Sequence, residues 1–166
     1  MRILGIDPGF ERLGIAVLDP ALRKERGEKD HCVVFSECFK TSSKLGFSER
    51  LNLIGKEVHK IIKEYKPEIL AIETLFLNTN QKTVMRVAEA RGVVIYEASS
   101  AGLKVFEASP PQIKIATTGY GRANKEQIMK MVKILAEMDT SKTSDDELDA
   151  IAIALTAFAH LKVLKK

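Results

Sequence analysis

The chain has few of the residues that usually build metal clusters or staples: two cysteines and three histidines in 166 residues. Cys32 and Cys38 lie six apart in one strand-like stretch. An even separation puts them on the same strand face, too far along it for a disulfide. Both are expected to be buried free thiols. His31, His59 and His160 are scattered, which argues against a metal centre built on histidine. Long hydrophobic runs are also missing: none approaches the roughly 20 residues that cross a bilayer. The N-terminus lacks the basic, apolar, small-residue order of a signal peptide. A cytoplasmic protein without a membrane partner is expected. There is no internal repeat, low-complexity tract or linker.

What is present is an ordinary globular composition, 45% hydrophobic and 29% charged. A chain of this length suits a single domain over residues 1–166 with a sizeable core. Its net charge of +4 is a weak pointer to an acidic partner.

"RILGID" reads as an apolar strand, and "LGIAVLD" follows a turn holding Pro8 and Gly9. "HCVVFSECF" is a third strand, so three strands in succession predict a meander. The period then changes. Phe47, Leu51, Ile54, Val58, Ile61 and Tyr65 trace one face of a long helix, and Pro67 stands beyond its end. "EILAIE" is a fourth strand, 79–97 a second helix and "LKVFEAS" a fifth strand. Pro110 and Pro111 open a short helix that stops near Gly119. Asn124 can cap a helix running to about Met138, and Thr143 or Ser144 can cap the last one. The order β-β-β-α-β-α-β, then helices, predicts an α/β fold. Its five-stranded mixed sheet has helices on both faces and central parallel strands one, four and five.

Two acids end runs that should be buried: Asp7 in "GIDPG" and Glu73 in "AIETLFLN". Acids are rarely buried without a partner. Ligands gather beyond the carboxyl ends of parallel strands. On neighbouring strand ends the two would repel, and a cation between them would remove that cost. The last helix begins with Asp145, Asp146 and Asp149. Acids suit any helix start because of the dipole. Asp146 and Asp149, three apart, share a helix face; Asp145 points elsewhere. Four carboxylates form a hard, oxygen-only donor set suited to Mg²⁺ or Mn²⁺. Two such ions can clamp both oxygens of a phosphodiester displacement.

Joined to "GIDPG", "AIETLFLNTN", "EARGVV", "QIKIATTGYGRANKEQIMKMVKIL" and "DELDAIAIAL", this order resembles the RuvC family of Holliday-junction resolvases, of RNase H-like fold. The resemblance runs from residue 2 to about residue 160. It implies catalytic, metal-binding roles for Asp7, Glu73, Asp146 and Asp149, with two ions per site. It also implies a two-fold dimer through the second helix and cooperation with the RuvA and RuvB branch-migration proteins.

Phe76 at the mouth of the acidic site is either a core phenylalanine or a stacking surface for a base. The resemblance gives it the second role, in contact with junction bases. Lys114 and Lys125 flank "TTGYGR". A lysine in the first turn of a helix is slightly unfavourable, so Lys125 makes better sense where a phosphate arrives. The resemblance implies DNA-binding or catalytic roles for both. Gly119 and Gly121 are expected to let the backbone turn closely. Arg122 and Arg86 are weaker candidates for phosphate contacts. Setting the four acids aside raises the net charge of the rest from +4 to +8, a balance that favours DNA and a strong salt dependence.

The expected activity is metal-dependent hydrolysis of DNA phosphodiesters in paired nicks that resolve a four-way junction, leaving 5′-phosphate and 3′-hydroxyl ends. The rivals are a non-catalytic junction-binding protein and an RNase H-like nuclease for RNA–DNA hybrids. An ATPase of the actin–hexokinase superfamily shares an Asp-x-Gly loop, but needs a second domain for which this chain has no room.

Overall fold

The computed structural model describes residues 1–19, 33–75, 81–136 and 143–163. Among these residues, five strands form one sheet: β1 (Ile3–Asp7), β2 (Arg12–Leu18), β3 (Val33–Lys40), β4 (Ile69–Glu73) and β5 (Lys104–Ala108). The described helices are α1 (Phe47–Tyr65), α2 (Gln81–Ser100), α3 (Pro110–Thr118), α4 (Lys125–Ala136) and α5 (Asp145–Val163).

The sheet order is β3-β2-β1-β4-β5. β1, β2 and β3 pair antiparallel; β1–β4 and β4–β5 pair parallel. The meander and the parallel trio are as expected, but β5 is an edge strand rather than a central one. The chain explains this. β1 is flanked by β2 and β4, so β5 can add only at an edge, and it adds outside β4. Its face shows the consequence: Lys104, Val105 and Glu107 are exposed.

Alternation along the strands separates two cores. Ile3, Ala16, Leu18, Ile69 and Ala71 pack with α3, α4 and α5 on one face. Leu4, Ile6, Ile15, Leu70 and Ile72 pack with α1 and α2 on the other. Burial on both faces is why β1 and β4 read as continuous apolar runs.

The helix boundaries follow their capping residues. α1 stops at Lys66, which turns left-handed (φ 50°) and donates its N–H to the Ile62 carbonyl. α3 begins at Ser109, whose N–H donates to Gln112 Oε1 at 2.8 Å, and ends at Gly119 with φ 74°. Gly121 has no positive φ; a Cβ there would press on Ile115 at 3.3 Å. Asn124 caps α4 by accepting from the Gln127 N–H at 2.9 Å. Ser144 caps α5, donating its own N–H to Glu147 Oε1 at 3.0 Å.

α5 is buried nearly all round, from Ala150 to Ala157. It crosses β1 and β2 at Gly5 and Gly14. A Cβ on Gly5 would stand 2.3 Å from the Ala150 carbonyl oxygen, and one on Gly14 would stand 2.1 Å from that of Asp146. Two glycines in strands thus let a helix backbone lie directly on the sheet.

Candidate active site

Asp7 falls on the same strand face as Ile3 and Gly5, and Glu73 on the same face as Ile69 and Ala71. The β1–β4 register runs to Ile6 opposite Ile72, so the two acids leave neighbouring strand ends toward α5. There Asp7, Glu73 and Asp149 line one groove of about 280 Å³, with Lys114 of α3, Lys125 of α4 and Ile113 beside them. The structure thus brings together three of the four acids and both lysines singled out in the sequence.

The electrostatics show how crowded this groove is. Asp7 is pushed up from 3.8 to about 7, by burial first and then by Asp149, Glu73 and Asp146; Lys125 opposes the rise. Glu73 is raised by burial and by Asp149. Asp149 is raised because burial outweighs the pull of Lys125. Burial alone would lower Lys125, but Asp149 and Asp145 raise it above its usual value. A cation in the groove would relieve all three acids.

Asp146 departs from the expected arrangement. It does share the helix start with Asp149, but its carboxylate turns toward β2 and β3. One oxygen, Oδ2, accepts from Arg12 Nε at 2.9 Å, from Arg12 Nη2, and from the Cys38 thiol at 3.4 Å. Cys38 is free and half-buried rather than fully buried; burial and then the bond to Asp146 push its thiol up. Cys32 and His31 lie outside the described residues.

Lys125 also has carboxylate partners within the chain. Its amine stands 3.4 Å from both Asp145 and Asp149. Carboxylates of α5, folded back against the start of α4, supply the negative charge that a first-turn lysine wants. Asp145, expected to point away, is therefore part of this pairing, although it is largely exposed.

The donors are oxygen-only and suit a hard divalent cation. Among the described residues no three of them converge closely enough to hold an ion as they stand. Arg12 and Lys125 hold the two α5 acids instead. Phe76 lies outside the described residues. Arg122 is exposed. Arg86 is exposed too, its guanidinium 5.1 Å from the Phe47 ring centre and 5.6 Å from that of Phe10. This stack braces the turn after Asp7.

Three neighbours of the site are not among the residues that the sequence points to. They are Arg12, Cys38 and Arg91, which donates from Nε to the Glu73 carbonyl at 3.0 Å and pairs with Glu107. Arg91 carried a signal, lying in "EARGVV". Arg12 and Cys38 carried none, because their shared partner is far along the chain.

A family model, crossover junction endodeoxyribonuclease RuvC, matches residues 3–157. The chain belongs to the RuvC family. It is 42% identical over 155 residues to a crossover junction endodeoxyribonuclease RuvC of Caldanaerobacter subterraneus subsp. tengcongensis, covering 93% of this chain and 90% of that one. It is 41% identical over 170 residues to the RuvC of Finegoldia magna, covering 99% and 100%. A solved structure of Thermus thermophilus RuvC in complex with Holliday junction substrate superposes with a TM-score of 0.87 at 30% identity, covering 98% of this chain and 96% of that chain. The RNase H-like architecture expected from the order of elements is thereby the observed one. No helix among the described residues is long and apolar enough to cross a membrane.

Proposed function

We propose that this RuvC-family chain is a structure-selective endonuclease that resolves four-way DNA junctions by paired symmetric nicks. The observation that carries this reading is the groove itself. Acids from two parallel strand ends and a helix face one another, and two lysines stand at its rim. Membership of the family implies dependence on a divalent metal; two Mg²⁺ or Mn²⁺ ions per site is our reading of the oxygen-only donors.

Asp7, with Glu73 and Asp149 beside it, would hold the ions, and Asp146 would complete the set. Bound there, the ions would supply an activated water and stabilise the leaving 3′ oxygen. Lys125 and Lys114 would orient the scissile phosphate and offset its charge. Ile113, Ala152 and Ile153 supply the apolar part of the groove lining. The products would carry 5′-phosphate and 3′-hydroxyl ends.

Residues 1–166 would act as a single nuclease domain. A two-fold dimer would place two such grooves on one junction, whose own symmetry is close to two-fold. Met85 and Tyr96, 66% and 68% exposed on α2, support that face as the contact between copies. RuvA and RuvB remain the partners implied by the family.

The test is cleavage of a synthetic four-way junction and of an RNA–DNA hybrid, each with Mg²⁺ or Mn²⁺. Paired nicks in the junction and an intact hybrid are expected. An uncut junction in both metals, or an Asp7→Asn variant that cuts as well as wild type, would overturn the reading.

A further inference from the structure

The two α5 acids of the site each face an internal cation. Lys125 sits at the mouth of the groove against Asp149. Arg12 sits at the start of β2 against Asp146. Arg12 is an unusual counter-ion. It is half-exposed, and its two nitrogens both bond the same oxygen of Asp146. Its partner across the β2–β3 register is Lys40, another exposed cation. Like charges opposite each other in a sheet disfavour pairing, so the strand gives Arg12 no local reason to be basic. The neighbouring acid, Glu11, stands by Arg50 instead. The counter-charge for Arg12 comes from α5, and that bond holds the Asp146 carboxylate on the β2 side, outside the residues that line the groove.

We propose that Arg12 is a positioning residue that holds Asp146 as its counter-ion and exchanges it for a divalent cation. The acid is kept paired on the β2 side, and it joins the groove only when a metal outcompetes the guanidinium. The inference deepens the nuclease reading and rests on its assignment of Asp146 as a metal ligand. It accounts for a carboxylate of the set lying outside the groove. It also accounts for an arginine placed opposite a lysine. Oδ2 has three donors pointing at it, so Asp146 cannot serve a metal through that oxygen without losing at least the Arg12 bonds.

The experiment is Mn²⁺ binding to the full chain without DNA, followed by calorimetry and by the electron-spin signal of free Mn²⁺. Wild type, Arg12→Gln, Arg12→Lys, Asp146→Asn and the Arg12→Gln/Asp146→Asn double variant are compared. Removing a competing, half-exposed ion pair should tighten Mn²⁺ binding by about three- to fivefold in Arg12→Gln. Arg12→Lys should lie between it and wild type, because an ammonium cannot make the forked bond. In the Asp146→Asn background the Arg12 substitution should change nothing. A merely structural arginine would, when removed, leave binding unchanged or weaken it. Equal Mn²⁺ affinity in wild type and Arg12→Gln overturns the inference, as does a gain that survives Asp146→Asn. If Arg12→Gln does not fold, Arg12→Lys carries the same test, and a lysine variant no tighter than wild type overturns the inference. Wild type that binds no Mn²⁺ overturns the metal reading as well, so the two failures are distinguishable.

Discussion

Gly14 of β2 lies under the backbone carbonyl of Asp146, at a distance that leaves no room for a methyl group: a Cβ there would approach the oxygen to 2.1 Å. The same contact sets how closely the start of α5 approaches the sheet, and so where Asp146 and Asp149 stand.

Gly14→Ala therefore tests packing and site together. Backbone cannot move aside as a side chain does, so α5 must lift. A loss of roughly 3 kcal/mol is expected, near the upper end for overpacked cores. For a chain of this size that lowers the melting temperature by roughly 6–12 °C. Thermal unfolding followed by circular dichroism measures it; an unchanged midpoint would show that the helix does not rest on this residue.

Asp7→Asn should make the protein more stable at neutral pH while abolishing cleavage. The folded state raises Asp7 from 3.8 to about 7, so it binds a proton that the unfolded chain has already released. Stability from this group therefore falls as pH rises from about 4 to 7 and is flat above. The rise corresponds to roughly 4 kcal/mol. Asparagine removes that dependence. In metal-free buffer, the variant's gain in melting temperature should grow across this window and shrink toward nothing below it. A gain independent of pH would contradict the assignment of the effect to this carboxylate.

Lys125→Ala should separate catalysis from binding. Its amine sits between Asp149 and Asp145 at the groove mouth, where a phosphate would be held. Loss of a preorganised positive group facing developing charge costs about 10²–10³ in rate. Junction affinity should fall by much less, with a salt slope smaller by about one. A variant that loses binding and rate equally would make Lys125 a general phosphate contact.

Arg91→Ala should act on Glu73 without touching the groove. Arg91 donates to the Glu73 carbonyl at 3.0 Å and ties it to Glu107. Leaving that carbonyl unpaired costs about 1–3 kcal/mol. Denaturant unfolding should show this loss, and the metal concentration for half-maximal cleavage should rise. Arg91→Lys should restore little, since an ammonium cannot span both acceptors. Unchanged metal dependence would confine Arg91 to a structural role.

Much of this site was legible because its signals are local. An acid that ends a short apolar run is visible in the chain itself, so "LGID" and "LAIE" already place Asp7 and Glu73 at strand ends. Capping residues mark their own helices, as Asn124 and Ser144 do. Cys38 and Arg12 could not be read the same way. The thiol's bond to Asp146 spans 108 positions and the guanidinium's spans 134. Nothing in the neighbourhood of either residue encodes such a contact.

The sequence by itself determined the order of elements, the position of Asp7 and Glu73 at strand ends and the oxygen-only character of the donors, because periodicity and side-chain chemistry belong to short stretches of chain. Only the tertiary structure decided that β5 is an edge, that glycines at 5 and 14 seat α5 on the sheet, and that Asp146 turns to Arg12 while Asp149 turns to Lys125. These depend on which backbones pack against each other, and that is settled by the whole core at once.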